Sequence, residues 1–448
     1  MTDATIPADG RLASAIRRGT RYRRAYGWTR FLWRLVRFWL WVPRLLDDTT
    51  WVSRARSDTG YLEQPFGVNL AGYLSGENGL GESARLRARA LRAAGVPCAL
   101  NDVHHPDLEN GETPGAPVSR DNPYRFNVVW VNAPEVDAFA HRVGRRYFWH
   151  RYNIGYWVWE MPEVPAEWLS RFRYFDEIWV PTRFVHDAVA PWSPVPVTRI
   201  PHTINPERHA ISPEQRMVVP GPDGPRTHSP QGWRAAASVP DHAFVFLFVF
   251  HFHAVFERKN PLALIAAFKQ SVAREREAFL VIKTAGGTGS REMASMREAS
   301  EGLNVRILDG VMRRSALDQV MADCDCYVSL HRSEGFGLTL IEAMAHGKPV
   351  IATGYGGNMD FMTRDNSYVV SHRLVELPQS VGPYRKGWHW AEPDVAHAAT
   401  LMRQVYEHRD EAQRVGVRAR DDVTRDLHPA RIGTLVRDRL EVVSAGAR

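Results

Sequence analysis

The sequence predicts an α/β protein with two doubly wound, parallel-sheet domains, and three observations support this. The chain has 448 residues, which is too long for one ordinary core and suits two domains of about 200 residues each. Short apolar strand patterns alternate with amphipathic helix patterns along most of its length. Between them, residues 207–240 are rich in Pro, Gly, Ser and charge. This stretch is predicted to be a linker with an exposed insertion, which leaves the two domains facing across a cleft.

Composition and charge narrow the functional classes without selecting one. Hydrophobic residues make up 44% and charged residues 24% of the chain, and the formal net charge is +7. The positive charge favours contact with anions such as nucleotides, phosphates or acidic lipids. The three cysteines, Cys98, Cys324 and Cys326, argue against a disulfide scaffold and for a reducing compartment.

Residues 1–62 are predicted to form a basic, aromatic-rich extension with an amphipathic helix. Within residues 28–42, Arg30, Arg34 and Arg37 share one helix face, and Trp, Phe and Leu cover most of the remainder. The apolar run is too short and too charged to span a bilayer. Residues 11–56 instead suit the plane of an anionic membrane surface. The alternative is a helix packed on the protein with its Arg side chains directed outward.

Residues 63–206 are predicted to form the first domain. A strand over 66–74, a glycine loop, a helix over 83–94 and a strand over 96–100 make one parallel-sheet unit. Gly79 and Gly81 would let a ligand approach the backbone near a helix start, where free N–H groups suit an anion. The alternative is that these glycines only cap the helix. Glu160 follows a predicted strand, at the sheet edge where ligands bind in this architecture.

Residues 241–424 are predicted to form the second domain. A strongly apolar strand over 243–252 precedes Arg258 and Lys259, and a helix over 262–270 follows them. The two cations are therefore expected in a loop at the carboxyl edge of the sheet, where they could neutralise a diphosphate. The alternative, solvated charges near a helix start, is weakened because cations oppose the helix dipole there.

The most specific segment is 333–349, with the sequence SEGFGLTLIEAMAHGKP. Gly335 and Gly337 lie where a strand is expected to turn into a helix, and Glu334 and Glu342 frame that turn. In a helix these acids would be separated by about 12 Å at most, which suits one carboxylate at each end of a sugar diphosphate. An acid at a helix start is also common for dipole reasons, but that explains neither the paired glycines nor the second acid.

This segment resembles glycosyltransferase family 4, whose members are retaining enzymes with the GT-B fold of two Rossmann-like domains. The E-x7-E pattern from Glu334 to Glu342 carries the resemblance. It continues in DEIWVPT from Asp176, IPH from Ile200, FERKNP from Phe256 and GYGGN from Gly354. The resemblance covers about residues 66–420. It also implies that the last helix, within 425–445, packs back across the first domain.

The resemblance implies roles for individual residues. Glu334 is expected to contact the donor sugar, Glu342 the ribose, and Lys259 the diphosphate, with Arg258 as a second cation. The remaining expected donor contacts are Gly79, Gly81, His253, Gly335, Phe336, Gly337, Leu338 and Thr339. His253 stands where many members have Arg, which is a departure from the family pattern. Glu160 and His202 are expected on the sugar and acceptor side.

The resemblance also implies the reaction: front-face attack by an acceptor hydroxyl, with the leaving phosphate oxygen taking the proton. No metal or other cofactor is expected, and Asp323 and Asp325, which mimic the D-x-D pattern of metal-dependent transferases, are interpreted as structural. The expected donor is GDP-mannose, followed by UDP-glucose, and the expected acceptor is a glycan or lipid-linked glycan at the inner face of the cytoplasmic membrane. No nucleic-acid partner is expected. A nucleotide-sugar epimerase and a non-catalytic glycan-binding module remain as alternatives.

Overall fold

The computed structural model describes residues 59–446, except 77, 105–110, 112–113, 115, 120, 210–216, 222–223 and 229–231. The predicted membrane-binding segment, residues 11–56, lies outside the described residues. From Thr59 onward the chain forms one compact unit with two six-stranded parallel sheets. The predicted fold class of two doubly wound α/β domains is therefore confirmed.

The first sheet has the order β2-β1-β3-β4-β5-β6. Its strands are β1 (Val68–Gly72), β2 (Cys98–Asp102), β3 (Phe126–Trp130), β4 (Tyr152–Tyr156), β5 (Glu177–Val180) and β6 (Val197–Arg199). The α-helices that accompany them are α1 (Gly79–Ala93), α2 (Val136–Val143) and α3 (Arg183–Val189). Strands β1 and β3 are buried at every position, as expected for a parallel sheet covered on both faces.

The connection between the two sheets contains a hairpin. It carries α4 (Pro206–His209), the antiparallel strands β7 (Met217–Gly221) and β8 (Gly224–His228), and α5 (Trp233–Ala236). The prolines and glycines of residues 220–225 exclude a helix or a central strand. They are compatible with a two-stranded hairpin that pairs with neither large sheet.

The second sheet has the order β11-β10-β9-β12-β13-β14. Its strands are β9 (Phe244–Val249), β10 (Ala278–Thr284), β11 (Val305–Asp309), β12 (Cys326–Ser329), β13 (Val350–Thr353) and β14 (Tyr368–Val370). Its α-helices are α6 (Phe256–Lys259), α7 (Pro261–Ser271), α8 (Arg291–Ala299), α9 (Arg314–Asp323) and α10 (Leu338–Ala345). The chain order reverses between β9 and β12, and ligands bind at such a switch point, outside the carboxyl ends of the strands.

A second hairpin and three helices complete the described chain. They are β15 (His372–Glu376), β16 (His389–Pro393), α11 (Val395–Glu407), α12 (Arg409–Asp426) and α13 (Pro429–Gly446). Helix α13 returns to the first domain and packs against α1, where Gly433 lies against the backbone of Ala90. Within the described residues, no helix combines the length and the apolar character needed to cross a membrane.

Two expected loops are helical. Gly79 and Gly81 lie in the first turn of α1, because the side chain of Asn78 accepts a hydrogen bond from the Gly81 N–H at 2.7 Å and starts the helix there. Arg258 and Lys259 lie in the single turn α6, between Val255 at φ 62° and Asn260 at φ 55°. This turn ends at Asn260 because left-handed backbone there separates it from Pro261, the first residue of α7.

Candidate functional site

The site lies at the switch point of the second sheet. Strand β9 leads to Lys259, and the neighbouring strand β12 leads to Glu334, so two residues 75 positions apart meet at one sheet edge. The Lys259 ammonium donates to Oε1 of Glu334. Both side chains are largely buried, with exposed fractions of 14% and 12%. A charged pair is thus held at the edge where this architecture binds anionic ligands.

Arg258 is the second cation of this cluster and is more deeply buried. One of its Nη atoms donates to the carbonyl of Ser333 and the other to the carbonyl of Ala254, both at 2.9 Å. The guanidinium also lies 3.4 Å from Oε2 of Glu334. Arg258 therefore fixes the backbone next to Glu334 as well as adding charge.

Electrostatics favours the charged form of Glu334. Burial alone would raise the pKa of Glu334, but Lys259 and Arg258 outweigh burial and lower that pKa to about 2. Burial lowers the pKa of Lys259, and Glu334 acts against this effect. The pair is consequently a carboxylate and an ammonium at neutral pH, each compensating the desolvation of the other.

Glycines hold the backbone that follows Glu334. A Cβ on Gly335 would lie 2.6 Å from the carbonyl oxygen of Trp159, and a Cβ on Gly357 would lie 2.0 Å from the carbonyl oxygen of Gly335. The N–H of Gly357 donates to the Glu334 carbonyl at 2.7 Å. Gly337 has φ 98° and precedes α10. Only glycine allows backbone segments to approach this closely.

The other predicted residues of this segment divide into buried and accessible ones. Phe336 is buried against His202 and Phe361, with ring centroids 4.6 and 5.3 Å away. Leu338 and Thr339 begin α10 and are partly exposed. The first turn of α10 therefore carries partly accessible residues, of which Leu338 lines the cavity beside Glu342, while Phe336 packs into the core.

Glu342 lies farther along α10 in a separate ion pair. Its Oε1 lies 2.5 Å from Nη2 of Arg314, at the start of α9. Both line a cavity between the two domains, together with Glu82, Leu86, Thr203, Ile204, Asn205, Leu338 and Ile341. Glu334 and Glu342 thus occupy two distinct charged environments, one beside α6 and one beside α9.

The first domain approaches this site through the start of α1. A Cβ on Gly79 would lie 3.6 Å from Cδ1 of Leu338, so the predicted glycine is next to the first turn of α10. Gly81 is different, because a Cβ there would meet the carbonyl oxygens of Gly76 and Tyr73 at 2.4 and 2.5 Å. Gly79 therefore faces the second domain, whereas Gly81 is required for packing within the first.

Glu160 joins the cluster from the carboxyl side of β4. Its Oε1 lies 3.9 Å from Nη2 of Arg258, and its Oε2 accepts a hydrogen bond from the Tyr384 hydroxyl at 3.4 Å. The carbonyl of Glu160 accepts from the Ser333 hydroxyl. The structure therefore brings Glu160 together with Arg258 and Glu334 across the interface of the two domains.

The two predicted histidines lie in different surroundings. His202 is 3% exposed, stacks edge-on against Phe336, and lies 3.2 Å from the Tyr156 hydroxyl through Nδ1. Burial, followed by the charge of Arg87, lowers its pKa well below the ordinary value. His253 is exposed and lies against His251, with ring centroids 4.6 Å apart. His202 is consequently a neutral group beneath Phe336, and His253 lies on the surface.

Sequence reasoning missed several residues of the site. Arg314 and Tyr384 carry no local motif, since each reaches its partner from a separate element. His331, two residues after the end of β12, is fully buried, and burial lowers its pKa to about 3. Gly356 and Gly357 were visible as a glycine pair, and this pair was the one available signal for their close contact with the Glu334 backbone.

Asp323 and Asp325 have structural partners. Oδ2 of Asp323 accepts from the Trp233 indole at 2.8 Å, and Oδ2 of Asp325 accepts from the Val245 N–H at 2.7 Å. Both contacts connect the end of α9 to the beginning of the second domain. In the described part of the chain, no group of three or more His, Cys, Asp or Glu side chains has a metal-binding arrangement.

Comparison with known protein families gives a match that covers the second domain. Residues 231–422 match the family model for glycosyl transferases group 1. No curated protein matches the chain.

The similarity to solved structures covers both domains of the chain. One is Anabaena Alr3699/HepE in complex with UDP and glucose, with 14% identity, a TM-score of 0.59, and coverage of 84% of this chain and 100% of that chain. Sucrose-phosphate synthase from Thermosynechococcus elongatus has 17% identity, a TM-score of 0.58, and coverage of 86% and 100%. A glycosyltransferase from Rickettsia africae has 14% identity, a TM-score of 0.60, and coverage of 85% and 98%.

The two parallel sheets and these similarities assign the GT-B fold to the chain, and its second domain matches the glycosyl transferases group 1.

Proposed function

We propose that the chain is a retaining glycosyltransferase that transfers a hexose from a nucleoside diphosphate sugar to a glycan or lipid-linked acceptor. The observation that carries the proposal is the ion pair of Lys259 and Glu334 at the switch point of the second sheet. This pair lies inside the segment that matches the glycosyl transferases group 1. A cation and a carboxylate side by side suit a ligand with an anionic diphosphate and a neutral, hydroxyl-rich sugar.

Donor binding would exchange the partners of this pair. In the proposed complex, the Lys259 ammonium binds a diphosphate oxygen, and Glu334 accepts hydrogen bonds from sugar hydroxyls. Arg258 remains in place, because its bonds to the carbonyls of Ser333 and Ala254 tie it to the protein. The N–H groups of the first turn of α10 add the positive end of a helix dipole.

The proposed chemistry is a front-face displacement at the anomeric carbon. The bond from that carbon to the leaving phosphate oxygen breaks while the acceptor oxygen bonds to the same face, and the phosphate oxygen takes the acceptor proton. Lys259 stabilises the charge that develops on the diphosphate, and Arg258, which lies 3.4 Å from Glu334, adds further positive charge to the site. Because protein cations supply this charge, turnover is expected to persist in EDTA.

The identity of the donor, the class of acceptor and the contact with a membrane are also proposed. UDP-glucose and GDP-mannose are the first donors to test, UDP-glucose because the similarly folded Anabaena protein is described with UDP and glucose. Residues 11–56 are proposed to bind an anionic membrane surface at the inner face of the cytoplasmic membrane, where a lipid-linked acceptor would be available.

A donor screen followed by one matched pair of variants tests the function. Stabilisation of the wild type by UDP, GDP and their sugars is measured by thermal shift, since a bound ligand raises stability by mass action. Turnover is then compared for Lys259→Met and Lys269→Met. Lys269 is an exposed lysine on α7 and serves as the control.

We expect Lys259→Met to lose roughly 100-fold or more of its turnover and Lys269→Met to retain wild-type turnover. Release of free nucleotide only in the presence of acceptor would separate the transferase from an epimerase. Wild-type turnover by Lys259→Met would contradict the proposed role of the ion pair.

A further inference from the structure

Arg314 and Glu342 form an ion pair that the proposed reaction does not use. Nη2 of Arg314 lies 2.5 Å from Oε1 of Glu342, and its Nε lies 2.9 Å from Oδ1 of Asp318 one turn along α9. The exposed fractions of the Arg314 and Glu342 side chains are 18% and 9%. A pair this short and this buried orients the carboxylate and leaves its second oxygen, Oε2, outside the pair.

Negative charge surrounds Glu342 from two further elements. Glu82, in the first turn of α1, is 6% exposed and faces the same cavity, and Asp318 approaches from α9. Burial raises the pKa of Glu342, Arg314 opposes this rise, and Glu82 and Asp318 add to it. Arg85 bonds to Glu82 at 3.0 Å, whereas Arg314 forms the ion pair with Glu342 that the described residues contain.

The cavity is also lined by a buried polar side chain that has an atom without a hydrogen-bond partner among the described residues. Asn205 lines it where the chain passes from the first domain to the second, and its side chain is buried at 4% exposure. Its Oδ1 is buried without a hydrogen-bond partner among the described residues. A buried amide oxygen without a partner costs about 1–3 kcal/mol, and a ligand hydroxyl or N–H in this cavity would satisfy it.

We propose that Arg314 is a positioning residue that holds Glu342 as an oriented carboxylate, so that Glu342 accepts hydrogen bonds from the vicinal diol of a nucleoside, with Asn205 as a further polar contact. The inference rests on the proposed function, because it takes the ligand to be a nucleoside diphosphate sugar and takes Glu342 to contact the ribose, as the family resemblance implies. It adds that the ribose end of the site depends on a cation in α9, in a position that no motif marks.

The first test measures the pH dependence of donor binding. The probe is UDP-glucose or GDP-mannose, whichever binds the wild type more tightly, measured by calorimetry from about pH 5.5 to 8. Neither sugar nucleotide titrates in this range, so changes report on the protein. The variants are Arg314→Gln, Arg314→Lys and the control Arg313→Gln, which alters the exposed neighbouring residue.

The expected result follows from the charge balance. Without its cation, Glu342 takes up a proton at higher pH, so binding by Arg314→Gln should weaken about tenfold at the acidic end and recover toward the alkaline end. Arg314→Lys should restore most of the wild-type profile, and Arg313→Gln should keep all of it. Adding Glu82→Gln to Arg314→Gln should move the acidic loss of binding back to lower pH, because it removes a neighbouring negative charge.

A change of ligand provides an independent readout. The 2′-deoxy form of the same nucleoside diphosphate sugar lacks half of the diol, so the wild type should bind it about tenfold more weakly, and Arg314→Gln at acidic pH should discriminate less. If Arg314→Gln fails to fold, Glu82→Gln is compared with the wild type instead. Because Glu82 contributes to the raised pKa of Glu342, Glu82→Gln should move the smaller acidic loss of the wild type to lower pH.

Different experimental outcomes would contradict the role of Arg314 and the proposed glycosyltransferase function. A wild-type pH profile in Arg314→Gln, with unchanged discrimination against the deoxy ligand, overturns the role of Arg314 while the proposed function stands. A wild type that binds no nucleoside diphosphate or its sugar overturns both.

Discussion

At the residue scale, the two glutamates that frame the motif have opposite electrostatic surroundings. Two cations lower the pKa of Glu334 to about 2, whereas burial and neighbouring carboxylates raise that of Glu342 above its ordinary value of 4.5. In the sequence the two residues are alike, because both are acids of the same E-x7-E pattern. The difference arises because Lys259 and Arg258 reach one of them, and Arg314, Glu82 and Asp318 surround the other.

These opposite shifts predict opposite effects on stability. Since the pKa of Glu334 is lower in the folded state, its contribution to stability is present above its ordinary value of 4.5 and is lost as pH falls toward about 2. The raised pKa of Glu342 works the other way, because the folded state retains a proton that the unfolded chain has lost. Its contribution therefore becomes less favourable as pH rises above 4.5.

Denaturant unfolding as a function of pH tests this prediction. Glu334→Gln should flatten the slope of the free energy of unfolding below pH 4.5, and Glu342→Gln should flatten the opposing slope above that value. Equal effects of both substitutions on both sides of pH 4.5 would contradict the assigned environments.

At the element scale, the contact of α13 with α1 depends on a helical glycine. A Cβ on Gly433 would lie 2.0 Å from the carbonyl oxygen of Ala90 and 2.8 Å from Cβ of Ala94. Helix propensity favours alanine over glycine by about 1 kcal/mol, so propensity and packing predict opposite signs for Gly433→Ala. Packing should dominate, because the obstructing atom belongs to backbone and cannot rotate away.

We expect Gly433→Ala to lower the free energy of unfolding by roughly 1–3 kcal/mol, as measured in denaturant. Gly446→Ala is the matched control, since Gly446 lies in the same helix with open space around its Cβ position. It should be neutral or slightly stabilising. A stabilised Gly433→Ala would show that α13 does not pack this closely on α1.

The hairpin of β15 and β16 is another element that contacts both domains. Its tip places Tyr384 against Glu160 and Arg385 against Glu167, and Trp388 lies edge-on to Trp159, with centroids 6.1 Å apart. Tyr384 is 2% exposed. The hairpin therefore supports the segment after β4 that carries Glu160, although it lies far from Glu160 in sequence.

At the scale of the whole molecule, the chain crosses between the domains twice and the site depends on both crossings. It passes forward near Asn205, which lines the cavity, and returns after α12, where the Leu427 carbonyl accepts from Thr203 and Ile204. Thr182 of the first domain also donates to the Gly335 carbonyl at 2.8 Å. The first domain thus positions the motif of the second.

The proposed membrane contact is tested in the full chain by reversing three charges. If the proposal is correct, Arg30, Arg34 and Arg37 should each contribute about 1 kcal/mol to attraction by an anionic surface. Replacing all three with Glu should then abolish binding to vesicles that contain acidic lipid. Sedimentation with such vesicles measures the effect, and neutral vesicles are the control. Donor binding should stay unchanged, and retained vesicle binding would contradict the proposed surface.

The fold followed from the sequence because its signals are local. Apolar strands, amphipathic helices and glycine turns are each encoded within a few residues, and their alternation allows few architectures. Element boundaries were less accurate. Arg258 and Lys259 proved helical, and α1 began at Gly79 rather than at residue 83, because capping by Asn78 and left-handed turns at Val255 and Asn260 depend on geometry that the pattern does not contain.

By itself, the sequence determined the two parallel-sheet domains and the positions of Glu334 and Glu342 on either side of a glycine turn. Only the tertiary structure decided their partners: Lys259 and Arg258 for Glu334, Arg314 for Glu342, and Tyr384 for Glu160. The physical reason is that a motif specifies backbone and residue type over a short span. Sheet order and domain packing determine which distant charges share a buried environment and therefore which protonation state each acid adopts.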